Sequence, residues 1–112
     1  MKLYVKDRII LMQVIPTNLE LTFAEFMAKK DFMKKLAISD EEKEHFGIKT
    51  EDGAVKWDIE KDIAEPLDVE VSDTMASVLR MIIEGESDKK HDDNVWDTLA
   101  RVYDAVNQKK AD

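Results

Sequence analysis

Hydrophobic residues recur three and four positions apart in three parts of the chain, the spacing that lines one face of an α-helix. This spacing predicts helices from Thr22 to Ala37, from a cap at Ser72 or Asp73 to Gly85, and from a cap at Asp92 or Asp93 to Val106. The final residues, Gln108 to Asp112, are expected to fray. The positions predicted to face the core are Phe23, Phe26, Met27, Met33, Leu36 and Ala37 in the first helix, Met75, Val78, Leu79, Ile82 and Ile83 in the second, and Val95, Trp96, Leu99, Val102, Tyr103 and Val106 in the third.

Two segments have the form of a capping box, in which a hydroxyl and a carboxylate three residues apart satisfy each other's backbone donors at a helix start. One is Thr22-Phe23-Ala24-Glu25. The other, Ser39-Asp40-Glu41-Glu42, opens a short acidic helix. Gly47 is well placed to end this second helix in the left-handed conformation.

The aliphatic block from Ile9 to Ile15 is stopped by Pro16 and suits either a short helix or a buried strand. Asp7 precedes the block and is expected to cap a helix there, because its carboxylate can accept from the free N–H groups of the first turn. We favour the helix.

A change from helical to alternating spacing predicts a β-hairpin in the middle of the chain. The segments 48–50 and 54–57 flank Glu51-Asp52-Gly53, a short connection with the Asp-Gly signal of a hairpin turn. Val55, Trp57 and Ile59 share one parity, so one face of this hairpin is predicted to be apolar.

The segment after the hairpin contains more Asp and Glu than apolar residues, and residues 58–66 are predicted to form an exposed acidic loop. Leu67 to Val71 then alternates apolar and acidic residues, which predicts a third strand with one face in water. Residues 1–112 are therefore predicted to form a single α+β domain. Its parts are N-terminal helices, a small antiparallel three-stranded sheet and a C-terminal helical pair.

The formal net charge is −8, and residues 38–72 alone carry a charge of that size, with twelve Asp or Glu against four Lys. The flanking segments, +3 for residues 1–37 and −3 for residues 73–112, cancel. An acidic surface repels nucleic acid and attracts basic partners. The positions predicted to bind a protein partner are Glu41, Glu42, Glu44, Asp58, Glu60, Asp62, Asp68, Glu70 and Trp96.

Recognisable catalytic motifs are missing from the sequence. Three glycines cannot form a phosphate-binding loop, and a chain without Cys has no thiol chemistry. His45 lies four residues after Glu41, and His91 precedes Asp92, but neither spacing is that of a metal motif. We therefore predict no enzymatic activity, no cofactor and no metal site.

A nucleic-acid-binding regulator is the alternative function. The order helix, helix, short helix and hairpin between Asp7 and Trp57 loosely resembles a winged-helix module, in which the helix before the hairpin enters the major groove. The equivalent helix here is acidic, so DNA phosphates would repel it. The residues available for this alternative are Lys29, Lys30, Lys34 and Lys35.

Over about residues 5–83 the chain resembles a group of small hypothetical proteins encoded in tailed-phage and prophage genomes. The resemblance lies in the order and spacing of three stretches, which run from Val5 to Pro16, from Ser39 to Trp57, and from Val69 into the following helix. It implies a phage or prophage origin and the cytoplasm of an infected bacterium. It supplies no catalytic residues.

The apolar stretches are far shorter than the ~20 residues that a membrane-spanning helix needs. Charged residues between Met1 and Arg8 occupy the region where a signal peptide is apolar. A cytoplasmic location is therefore expected. The predicted function is a non-enzymatic accessory or regulatory factor that binds a phage or host protein through its acidic surface, and homo-oligomerisation is compatible with the same sequence.

Overall fold

A computed structural model of the protein describes the backbone of residues 1–111 and the side chains of residues 1–107. The predicted fraying of Gln108 to Asp112 falls on positions that lie wholly or partly outside this description. The elements are β1 (Lys2–Leu3), α1 (Val5–Val14), α2 (Phe23–Leu36), α3 (Asp40–His45), β2 (Lys49–Glu51), β3 (Ala54–Lys56), α4 (Ile59–Ala64), β4 (Leu67–Asp68), α5 (Asp73–Gly85) and α6 (Asp93–Ala111). No helix in the described part of the chain is long and apolar enough to cross a membrane.

The aliphatic block near the N-terminus is helical, which decides between the two predicted alternatives. The helix begins two residues before Asp7, at Val5, so the prediction that Asp7 caps it is wrong. Asp7 occupies the third helical position, and its carboxylate accepts the backbone N–H of Tyr4 at 3.0 Å. The earlier start is stabilised by tertiary contacts of this first turn, which the local sequence does not display.

The predicted three-stranded sheet is wrong, because the strands form two separate antiparallel pairs. The hairpin pairs β2 with β3, and Thr50 lies opposite Val55. The short strand β4 pairs instead with β1 at the other end of the chain, where Leu3 lies opposite Leu67. A partner of two residues is too short to show a β period, so the sequence pattern could not reveal it.

The hairpin turn has the geometry that its Asp-Gly sequence requires. Asp52 has φ 50° and Gly53 has φ 79°, so both central residues lie in the left-handed region, as in a type I′ turn. The apolar face predicted for this hairpin does not pack on the core, because Val55 and Ile59 are exposed.

The predicted acidic loop at residues 58–66 is largely a helix, α4, which corrects the sequence-based interpretation. Asp58 caps this helix by accepting the backbone N–H of Lys61 at 3.2 Å. The sequence contains two indications of this helix, the capping Asp58 and the four-residue spacing of Ile59 and Ile63. The many charged residues around them led to the prediction of a loop.

Helix α5 is central to the core, packed between α6 and α2, and α1 packs on α6. Its predicted stripe is confirmed, since all five of those side chains are buried. They join Leu99, Val102 and Val106 of α6 in one apolar cluster, to which Phe32 and Leu36 of α2 belong. The alternation of Leu67 to Val71 also persists beyond β4, because Val69 and Val71 are buried.

The predicted core face of α2 is only partly correct: Leu36 is buried and Met33 packs on the apolar cluster as predicted, but the N-terminal part of the predicted stripe is exposed. The buried residues of this helix are Phe32 and Leu36, whereas Phe23, Phe26 and Met27 are exposed. The exposed fraction of Phe23 is 79%, against 2% for Phe32. The helix has apolar residues on two faces, so the sequence could not tell which of them the core would select.

This orientation predicts unequal effects of two alanine substitutions in the same helix. Phe32→Ala should lower the free energy of unfolding by about 3–5 kcal/mol, because it opens a cavity beside α5. Phe23→Ala should change it by less than about 0.5 kcal/mol, because this side chain is in solvent. Urea denaturation followed by circular dichroism measures both, and equal losses would contradict the orientation.

Candidate protein-interaction surface

Helix α3, the hairpin and helix α4 form a distinct part of the surface, which we call the acidic lobe (residues 40–65). Its elements are joined by polar contacts. The backbone N–H of Asp58 donates to the carbonyl of Phe46 at 2.8 Å. The imidazole Nε2 of His45 lies 2.7 Å from a carboxylate oxygen of Glu65, and Lys61 Nζ donates to the His45 carbonyl at 3.2 Å. The acidic lobe is thus held together without an extensive apolar interior of its own.

The acidic lobe carries ten Asp or Glu and four Lys, a net charge of −6. Glu41 and Glu44 on α3 and Glu60 on α4 are all exposed. Their charges act over roughly 8–10 Å in physiological salt, so neighbouring carboxylates combine into one field. The acidic lobe therefore presents a negative surface to solvent.

Two large apolar side chains lie in the middle of this charge. Ile59 and Ile63 of α4 are 62% and 61% exposed. They are four residues apart, so they lie next to each other on one helical face. Sequence reasoning missed this pair because it assigned the segment to a loop. Exposed apolar side chains rimmed by polar residues also occur at protein-interaction sites.

Glu42 belongs to the acidic lobe but does not contribute to its exposed charge. Its two carboxylate oxygens accept from Arg8 Nη1 at 2.6 Å and Nη2 at 3.1 Å, while Arg8 also donates to the carbonyls of Leu36 and Ala37. The hydrogen bond from Arg8 lowers the pKa of Glu42 to about 2. Glu42 also completes the predicted capping box with Ser39, which is confirmed. Its role here is structural.

Asp62 is likewise turned inward and is almost fully buried. Its carboxylate accepts the backbone N–H of Val5 at 2.9 Å and the indole N–H of Trp57 at 3.1 Å. Burial raises the pKa of Asp62, since removal of water penalises the charged form. The two hydrogen bonds partly offset this penalty, so Asp62 ties α4 to the start of α1.

Asp7 completes a group of charges at the first turn of α1, which we call the α1 junction; Asp7, Arg8 and Asp62 in it are buried, and Glu42 and Arg101 are partly exposed. Asp7 is fully buried and accepts four hydrogen bonds, from the Tyr4 N–H, from the hydroxyl of Thr98 at 2.7 Å, and from both terminal nitrogens of Arg101. The hydrogen bond to Asp7 raises the pKa of Arg101. This carboxylate is saturated, so it is a structural anchor to α6.

A small cleft lies next to the α1 junction and contains a carboxyl group with a raised pKa. Groups of this kind are often found at catalytic sites. The cleft is lined by Arg8, Glu42 and Asp62 among others, and its volume is about 200 Å³. Ligand pockets usually measure about 300–1,000 Å³. The acidic groups in it already bind donors within the protein, so the geometry favours a structural role.

The other predicted partner-binding residues lie on several elements. Asp58 is the cap of α4, and Asp68 contacts the N-terminal amine at 3.3 Å. Asp68 and Glu70 line a separate groove of about 800 Å³ between α2, the residues after β4, and α6. Trp96 is half-buried on α6, with its ring edge-on to His91 at 5.2 Å. The acidic lobe therefore unites only part of the predicted set.

The predicted lysine cluster is also divided. Lys29 donates to the carbonyl of Pro16, and Lys35 pairs with Asp31 at 3.1 Å. Lys30 and Lys34 remain exposed on the outer face of α2. Two exposed lysines can neutralise few phosphates. Helix α3, which would contact DNA in a winged-helix module, presents carboxylates.

The two histidines have different surroundings from those that the sequence indicated. His45 contacts Glu65 and not Glu41, and His91 Nε2 lies 3.8 Å from a carboxylate oxygen of buried Glu86. That oxygen of Glu86 lies 2.8 Å from Lys89 Nζ. Within the described residues, no three potential ligands from His, Asp and Glu side chains are grouped to hold a metal ion.

The contact between Glu42 and Arg8 predicts a pH-dependent loss of stability. The pKa of Glu42 is lowered from 4.5 to about 2 on folding, so its contribution is complete above pH 4.5 and disappears as the pH falls towards 2. At pH 7, Glu42→Gln should reduce the free energy of unfolding by about 1–3 kcal/mol, because a buried guanidinium loses its counter-charge.

Glu41→Gln is the matched control, since this neighbouring carboxylate on the same helix is exposed. Thermal unfolding measured between pH 7 and pH 2 should show the wild-type advantage over Glu42→Gln shrinking below pH 4.5, while Glu41→Gln follows wild type. A difference that persists unchanged at pH 2 would contradict the assignment.

No protein-family model, curated protein or solved structure matches this chain. The function is therefore inferred from its surfaces. The α1 junction is occupied by internal contacts, whereas the acidic lobe offers unneutralised charge together with exposed apolar side chains. Of the features described, the acidic lobe is the one best suited to contact another molecule.

Proposed function

We infer that the protein is a non-enzymatic binding module whose acidic lobe docks a basic, amphipathic segment of a protein partner. The observation that carries this inference is the exposed pair Ile59 and Ile63 within a region of net charge −6. Burying a large aliphatic side chain on binding contributes about 1.5–3 kcal/mol, so two of them can anchor a contact. The carboxylates then select for a positively charged partner.

The two kinds of side chain have separate effects on binding. Exposed carboxylates such as Glu41, Glu44 and Glu60 accelerate encounter with a basic partner, and this effect weakens as salt is added. Ile59 and Ile63 are expected to slow dissociation, because an apolar contact must be re-hydrated before the partner leaves. Association should therefore be fast and selective for positively charged partners, and added salt should weaken it only in part.

The proposed partner is a protein and not a nucleic acid. Phosphates would meet the carboxylates of α3, and two of the four lysines on α2 are engaged within the protein. We further propose an accessory or regulatory role of phage or prophage type, acting in the bacterial cytoplasm, as the resemblance over residues 5–83 implies. In such a role the acidic lobe would bind a phage or host protein.

The experiment compares two variants with equal changes of charge. Glu41→Lys/Glu44→Lys/Glu60→Lys reverses three exposed charges and brings the net charge of the acidic lobe from −6 to zero; we call this variant the reversed lobe, and none of its three original carboxylates has a described structural contact. The control is Glu20→Lys/Asp88→Lys/Asp104→Lys, which changes three exposed acids elsewhere on the surface. Each tagged protein captures partners from bacterial lysate, with and without nuclease, and mass spectrometry compares the captured proteins.

A partner captured by wild type and by the control, but reduced at least about tenfold with the reversed lobe, would support the proposal; such a loss corresponds to about 1.4 kcal/mol. The substitution Ile59→Ala/Ile63→Ala should reduce capture of the same partner. Capture that the reversed lobe retains in full would refute a role for the acidic lobe. Capture that disappears with nuclease would favour nucleic acid and the lysines of α2.

A further inference from the structure

The outer face of α2 has the opposite character to the acidic lobe. Phe23, Phe26 and Met27 are exposed there, and Lys30 and Lys34 continue the same stripe towards the C-terminal end of the helix. The positions 23, 27, 30 and 34 follow the spacing of a single helical face. We call these five residues the α2 face. It combines apolar anchors with positive charge.

The apolar anchors of the two surfaces have matching spacing. Phe23 and Met27 on α2 are four residues apart, and so are Ile59 and Ile63 on α4. Rows of side chains at this spacing form the ridges that interdigitate when two helices pack at a crossing angle of about −50°. The apolar side chains of one helix can thus fill the gaps of the other.

The charges next to these anchors are also complementary. Lys30 and Lys34 follow the apolar pair on α2, whereas Glu60 lies beside the isoleucines and Glu41 and Glu44 lie on the adjoining α3. Helices α3 and α4 are joined through the contact of His45 with Glu65. The two surfaces lie on different elements, and the substantial contacts of α2 within the chain are with α5 and α1.

We propose that the partner of the acidic lobe is a second copy of this chain, which docks its α2 face on Ile59 and Ile63. This inference rests on the proposed function, because it uses the same site and names its occupant. The contact joins two different surfaces. Two copies can therefore form a closed dimer, in which each α2 face binds the lobe of the other copy, or successive copies can form longer assemblies. Because few apolar side chains take part in the contact, we expect the association to be weak and dependent on protein concentration.

The test uses two variants that each change the charge of one of the surfaces. Lys30→Glu/Lys34→Glu makes the α2 face acidic, and Glu41→Lys/Glu44→Lys/Glu60→Lys changes the net charge of the acidic lobe from −6 to zero. Sedimentation equilibrium measures the average mass over a series of protein concentrations. Wild type should self-associate at about 50 mM salt and dissociate towards monomer at about 500 mM, because added salt screens the charges. Each variant alone should remain monomeric, since the α2 face and the lobe then either repel each other, in Lys30→Glu/Lys34→Glu, or lose their charge attraction, in the reversed lobe.

Mixing the two variants tests whether these two surfaces pair with each other. The unchanged lobe of one variant meets the unchanged α2 face of the other, so one of the two original contacts is available in the mixture. The mixture should therefore recover complexes that neither variant forms alone. A symmetric contact of α2 face with α2 face would persist in the Glu41→Lys/Glu44→Lys/Glu60→Lys variant alone, and a contact of lobe with lobe would persist in Lys30→Glu/Lys34→Glu alone, so either variant associating by itself would exclude the proposed pairing.

An apolar substitution separates docking from general charge effects. Phe23→Ala should weaken self-association at least about tenfold, or about 1.4 kcal/mol. The control Met81→Ala removes another exposed apolar side chain, on α5, and should have no effect. Circular dichroism confirms that each variant is folded, and the exposure of the substituted residues makes this the expected result.

Three further outcomes would overturn the proposal. Wild type that is monomeric at all concentrations and at low salt would show that no second copy docks. Variants that stay monomeric when mixed would exclude pairing of these two surfaces. Binding of the α2 face to vesicles of phosphatidylcholine and phosphatidylglycerol, without self-association, would assign it to a membrane instead. Lobe-dependent capture of a different protein in any of these cases would leave the proposed function intact.

Discussion

The structure depends on the buried charges at the first turn of α1. Asp7 connects this turn to α6, and Arg8 connects it to the end of α2 and to α3. The backbone N–H of Val5 donates to Asp62 and so connects the turn to α4. Buried charges are costly unless every donor and acceptor is paired. Here the charged groups are extensively paired. Hydrogen bonds and ion pairs are directional, so the α1 junction fixes the positions of α2, α3, α4 and α6 relative to α1 more closely than apolar packing alone would.

This arrangement explains how an acidic surface can be held on a small protein. The acidic lobe contributes few side chains to the apolar core, of which Phe46 is buried. Its attachment relies on Glu42 and Asp62, two of its own carboxylates, which bind Arg8 and the start of α1. Because these two acids are used internally, the remaining ones can stay exposed and available to a partner.

Some carboxylates of the acidic lobe stabilise the fold, and others remain exposed for binding, so substitutions can change one property without the other. Removing Glu42 leaves a buried guanidinium without its counter-charge, whereas Glu41, one residue earlier, is exposed and has no such partner. The same contrast applies on α2 between buried Phe32 and exposed Phe23. In both helices residues of the same chemical type serve different purposes, and their direction relative to the core distinguishes them.

The sequence by itself determined the features that depend on neighbouring residues. The capping boxes, the Asp-Gly hairpin turn and the strongly one-sided helix α5 were all predictable, because their signals lie within a few residues or one periodic stripe. The concentration of acid between residues 38 and 72 was equally visible. Tertiary structure decided the pairing of β1 with β4, the face of α2 that is buried, and which acids remain exposed. These depend on contacts between distant segments, such as Arg8 with Glu42, and on competition between two apolar faces, which local patterns do not encode.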